Sequence, residues 1–220
     1  MASRPHTFSL TPDAADDNGI SVSQTPAAGG AQNLTITGAL ASGGVATMDV
    51  ARQVIITSAG DESGRTFSVT GTNVHGDVIK EDITGINIGV ATSVHDYKTV
   101  TQVQVDADTA GAVLVGTSGV LASAWYPLNR IEFATHSIAG IISGTANYDA
   151  ELTYDDLFDL DVAAPQTAGA APTVFNHATV VNETTSQEGT IAAPATGVRL
   201  KINSFTAGAV VSLTIIPASS

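Results

Sequence analysis

Short runs rich in Val, Ile and Thr recur along all 220 residues, and Gly, Ser, Asn and Asp separate them. This rhythm constrains the fold more than any other feature. β-branched residues favour strands, and the spacer residues favour turns. No long segment carries the 3.6-residue apolar period of an amphipathic helix. About a dozen strands at spacings of 8–12 residues predict an all-β chain of the β-sandwich or jelly-roll class. A helical segment is expected, if anywhere, around 44–54 or 173–179.

Individual strands follow from alternation. They are expected at 19–24, 33–37, 52–58, 65–72, 78–84, 100–105, 112–115, 123–128, 188–192, 198–204 and 210–217. Residues 92–106 should break into two strands near Lys98. Residues 131–143 and 145–154 should pair around Gly144. In VIKEDIT (Val78–Thr84) neither face is purely apolar, which predicts an edge or interface strand. The GTSG of Gly116–Gly119 and the ISGT of Ile142–Thr145 read as turns. The organisation expected is an extended N-terminal arm over 1–18, a β-sandwich domain over 19–129 and a second over 130–220. The best linker-like stretch, LDVAAPQTAGAAPT, falls inside that second half.

Composition narrows function. Apolar residues make up 43% and aromatics 5%, so the core must come from Val, Ile, Leu and Ala. Charged residues make up 13%, against about 25% in an average soluble domain. Ser, Thr, Asn and Gly must therefore cover the surface, as suits subunits that cover one another. The net charge of −13, with eight scattered basic residues, argues against nucleic acid and anionic membranes as partners. There is no cysteine, hence no disulfide, thiolate nucleophile or Cys-ligated zinc. The first residues lack the apolar core of a secretory signal, and no stretch approaches the ~18 apolar residues of a membrane helix.

Candidate chemistry is sparse. Asp155, Asp156, Asp159 and Asp161 supply oxygens of the kind Ca²⁺ takes, but without the glycine-centred spacing of a calcium loop; a solvated loop is the better reading. Asp13, Asp16, Asp17 and Asn18 read as solubilising residues of the arm. The five histidines, His6, His75, His95, His136 and His177, never fall two to four apart, so no local zinc pair forms. His136 reads as a half-buried strand residue and His75 as a turn residue. No G-x-S-x-G elbow or phosphate loop is present. One Trp and four Tyr offer little platform for sugars. No catalytic residue, cofactor or metal site is assigned, and an enzyme is not expected. Trp125, beside Tyr126, reads as a core or inter-domain plug, so Trp125→Ala should cost roughly 3–5 kcal/mol.

Five segments then fall in a familiar order: VTGTNVHGDVIKEDITG (Val69–Gly85), VGTSGVLASAWYPL (Val115–Leu128), GTANYDAELTYDDLFD (Gly144–Asp159), PTVFNHA (Pro172–Ala178), and VRLKINS (Val198–Ser204) with TAG (Thr206–Gly208). Together they resemble a family of tailed-bacteriophage virion structural proteins, over about residues 50–217. Val174 stands where the pattern has an aromatic, and Asn129 where it has Asp. The resemblance implies a non-enzymatic head or tail component, made in a host cytoplasm and released by lysis. The specific expectation is a capsid decoration (cement) protein that binds the major capsid protein and itself, as a homotrimer. The alternatives are a tail or neck component and a tail-borne receptor- or carbohydrate-binding adhesin. Arg4, His6, Phe8 and Leu10 of the arm are the expected shell contacts. On that reading, removing residues 1–18 abolishes shell binding and leaves the melting temperature nearly unchanged.

Overall fold

A computed structural model describes residues 4–128, 135–157, 172–192 and 195–217. The chain is all-β, and the described residues contain no helix. They gather into two compact units. One spans Ala15–Ser118. The other joins residues 4–14 to the described residues from 119 onward. The change of unit falls between Ser118 and Gly119; Asn129, the boundary read from sequence, lies outside the described residues.

The first unit holds β2 (Ser21–Gln24), β3 (Gln32–Asn33), β4 (Ala41–Ser42), β5 (Val45–Asp61), β6 (Thr66–Thr72), β7 (Val78–Thr84), β8 (Asn87–Val105) and the start of β9 (Val113–Ala122). The sheet order is β9-β5-β8-β6-β7, with β2 on β9, β3 on β8 and β4 on β5. β7 closes the order as an edge strand. It alternates strictly: Val78, Lys80, Asp82 and Thr84 face out, while Ile79, Glu81 and Ile83 are buried. Phe67, Val69, Val54, Ile56, Tyr97 and Val103, all fully buried, fill the core.

Three expectations change here. Gly44–Val54 is not helical; most of it belongs to β5, whose Val and Ile content suits a strand. The GTSG segment is not a turn; it lies inside β9. The expected break into two strands near Lys98 does not occur. β8 runs on, while its register against β5 jumps from Thr47↔Thr99 to Arg52↔Tyr97. Four β5 residues thus stand opposite Lys98 alone. The Lys98 ammonium donates to the carbonyls of Met48 (2.7 Å) and Asp49 (2.9 Å) and so satisfies the bulge.

The second unit is a sandwich. One sheet has the order β1 (His6–Leu10), β16 (Val210–Pro217), β11 (His136–Ser143), β14 (Gln187–Ile191). The other contains β13 (Phe175–Asn176), β12 (Ala146–Thr153) and β15 (Gly197–Phe205), with β10 (Tyr126–Pro127) and the Leu121–Ala122 end of β9 also paired to β15. β11 and β12 do not pair with each other, contrary to expectation. They join different sheets, and Gly144, at φ +88°, makes the corner between them. The Tyr148 ring of β12 lies where a side chain on Gly140 of β11 would sit, 2.4 Å from an added Cβ. That contact seats one sheet on the other, and Ile138, Val211, Leu213 and Ile215 of one sheet and Ala150, Val198, Leu200 and Ile202 of the other are all buried.

Candidate functional site: the motif residues and a charged network on β12 and β15

The motif glycines and polar residues of the first unit serve its backbone. A Cβ on Gly71 would lie 1.9 Å from the Thr99 carbonyl oxygen, so only glycine lets β6 approach β8 there. Asn73 starts the β6–β7 turn by accepting from the amides of His75 (2.8 Å) and Asp77 (3.0 Å). The buried Glu81 carboxylate accepts from the amides of Val94 (2.6 Å) and His95 (3.1 Å). Gly116 leaves room for the backbone of Asp16 and Asp17. Thr117 then binds Asp16 twice: its amide donates to the Asp16 carbonyl, and its hydroxyl accepts from the Asp16 amide.

In the second unit the alternation of β12 and β15 gathers charge on one face. Glu151 is buried; it accepts from Arg199 Nε at 2.7 Å and pairs with Lys201 Nζ at 3.1 Å. The Arg199 guanidinium lies 4.7 Å above the Trp125 ring. Asp149, also buried, takes Asn203 Nδ2 at 2.9 Å and the Asn182 amide at 2.5 Å. Asn203 reaches Asn147 as well. Two of the chain's eight basic residues converge here, and Glu151 pairs with both inside the network. Trp125 is half-buried rather than the buried plug expected, and the Arg199 guanidinium lies over its face.

His177, of the FNH motif, folds the segment beside β12. Its amide donates to Ala150 O. Its ring Nδ1 accepts from the amides of Thr179 and Val180, both at 3.2 Å, and Nε2 donates to Thr190 O at 3.1 Å. This pattern fits the neutral ring with its proton on Nε2. Gly189 makes room for the ring. Tyr148 donates its hydroxyl to Thr185 O at 2.9 Å, and burial pushes that phenol above its ordinary range.

The expected arm residues are placed differently from a free arm. β1 pairs along its whole length with β16, from His6↔Ile215 to Leu10↔Val211. His6, Phe8 and Leu10 form its half-buried face, and Thr7 and Ser9 are the exposed ones. His6 stacks on Tyr126 at 4.3 Å, and Phe8 meets the same ring edge-on at 5.8 Å. Arg4 is exposed ahead of the strand. The apolar alternation of HTFSL is thus a strand signature, and it pairs inside the unit.

Asp155 accepts from the Thr173 amide at 2.5 Å, which closes the end of β12; Asp159 and Asp161 lie outside the described residues. Among the described residues no three His, Cys, Asp or Glu side chains gather where one metal ion could be held. His136 and His95 are buried strand residues. An open cleft of about 500 Å³ in the first unit is lined by Gln24, Thr25, Pro26, Ala27, Ala28, Gln32 and Asn33, none of them titratable. The Glu151 network was the part that sequence reading missed. Its signal was present as the alternation V-R-L-K-I in β15, which puts Arg199 and Lys201 on one face. No protein-family model matches the chain, and no curated protein does.

Proposed function

We propose that this chain is a non-enzymatic structural protein of a tailed-bacteriophage virion, and specifically a decoration protein that binds the major capsid protein on the outside of the head shell. One observation carries the non-enzymatic half: the polar residues of the motifs are directed at backbone amides and at one another. Asn73, Glu81, Thr117, Asp149, Glu151 and His177 all bond this way. Residues so engaged build a frame. The order of the motifs supports the virion half. A charge-poor surface and symmetric copies on a shell suit binding by many weak contacts.

The test is co-sedimentation of the purified protein with expanded, undecorated phage shells, with the bound copies counted. Saturable binding in multiples of three supports decoration. A ring of six or twelve that ignores shells moves the protein to the neck or tail. One observation favours a tail-borne adhesin instead. Tyr154 and Phe175, each nearly half-exposed, meet edge-to-face at 5.4 Å and offer an aromatic surface to a sugar. Glycan binding lost in Phe175→Ala, with no shell binding, would establish that reading.

A further inference from the structure

We infer that β8 of the first unit carries a self-association edge, and that its occupant is the same edge of a second copy. The inference does not depend on the virion reading. Between Asn87 and Tyr97, β8 pairs with β5 on one side; its other strand partners, β6 and β3, meet it only from Thr99 onward. Along the free side the Glu81 carboxylate takes two amides, those of Val94 and His95. The remainder is an open strand edge, the feature natural sheets usually blunt with charge, proline or cover.

Glu81 and a register shift against β5 blunt the Val94–His95 end of this edge, and the rest of it carries neither charge nor proline. Residues 86–94 read INIGVATSV, with no charge and no proline. Ile88, Val90 and Val94 alternate on one face at 69%, 49% and 67% exposure, and Ile86 beside them is 40% exposed. Ile88 and Val94 are the two most exposed large aliphatic side chains of the described surface. Ile88 also sits at φ +43°, a left-handed conformation that β-branched residues rarely adopt. Folding thus holds an isoleucine in water at a backbone cost, which points to a contact made after folding.

Chemistry selects the occupant. An open strand edge is matched by another strand edge, and an antiparallel edge is complementary to itself about a twofold axis. Two copies that each carry −13 repel almost everywhere. They approach best through an uncharged segment, and this one combines free backbone groups with apolar side chains.

The absence of cysteine makes the test clean. Single cysteines are placed in turn from Asn87 to Val94, with Thr101→Cys on the paired half of β8 as control. Oxidation should give disulfide dimers at one or two neighbouring positions only, those at the twofold axis. Light scattering across roughly 1 µM to 1 mM should show association of the unmodified chain. Val90→Lys should weaken it at least about tenfold, and Ile141→Lys, on an exposed site of the other unit, should not. Both lysine variants must keep the β circular-dichroism spectrum, and if Val90→Lys does not, Val94→Lys replaces it. A chain monomeric throughout that range, cross-linking equal to the Thr101→Cys control, or association untouched by Val90→Lys overturns the inference. Shell binding is measured separately, so failure here leaves the decoration reading standing, and the reverse holds too.

Discussion

Trp125 and Tyr97 show how far a single side chain can be read. The only tryptophan invited the expectation of a fully buried plug, because apolar area favours burial. Its neighbours in sequence, Ala124 and Tyr126, say nothing of Arg199, which is remote in sequence and caps the ring. Trp125→Ala should therefore cost about 1–3 kcal/mol, the sum of partial burial and one cation–π contact, rather than the full core value. Chemical denaturation measures it; a loss above ~4 kcal/mol would mean a core residue. Tyr97 is the opposite case, buried beside Glu81 and Asp82. Burial first, and then those carboxylates, hold its phenol far above the ordinary value. The sign follows from linkage. Below the ordinary tyrosine value of about 10 both states keep the proton, and stability is unaffected by this group. Above it the unfolded chain ionises first, so stability falls as pH rises. Tyr97→Phe should flatten that alkaline decline in urea titrations between roughly pH 9 and 11.

Strands were legible where alternation is local, and their partners were not. β7 and β16 lie where their sequences put them, and the outward row of β7 follows from period two. The separation of β11 from β12 was hidden, because hairpin and sheet-to-sheet corner both want a glycine in the turn. GTSG misled for a related reason: glycine marks turns, but it also marks strands that another backbone approaches. Of the two strand glycines in GTSG, only Gly116 is approached by another backbone. An added Cβ on Gly116 would lie 2.1 Å from Asp16 O, and on Gly119 it meets nothing within 4 Å. Gly116→Ala should cost about 3 kcal/mol or more, since backbone must move, whereas Gly119→Ala should stay within about 1 kcal/mol. Thermal melts of the pair decide it, and equal losses would refute the close approach. The N-terminal segment reverses an expectation in the same way. Deleting residues 1–18 removes β1 from β16 and Asp16 from Thr117. The melting temperature should drop by more than about 5 °C, where a free arm would leave it unchanged.

At the scale of the whole molecule, charge governs whether copies meet. The surface is poor in charge but one-sided, with 21 acidic against 8 basic residues and a pI near 4.4. Some faces carry almost none of it. On the four-stranded sheet, Thr7 bonds Thr214 and Ser9 bonds Ser212 hydroxyl to hydroxyl across β1 and β16. Near neutrality the shared negative charge keeps copies apart, while the uncharged strip of β8 draws them together. Repulsion between like-charged molecules weakens when carboxylates take up protons and when salt screens them. Apolar and backbone contacts weaken under neither change. Association should therefore strengthen as pH falls from 7 towards about 4.5, and also as salt rises from roughly 0.05 to 0.5 M at pH 7. Light scattering at fixed concentration reads both. Association through ion pairs between copies would respond to salt in the opposite sense. If added salt dissolved the complexes, charge would be holding them together, and the uncharged edge would not be the contact.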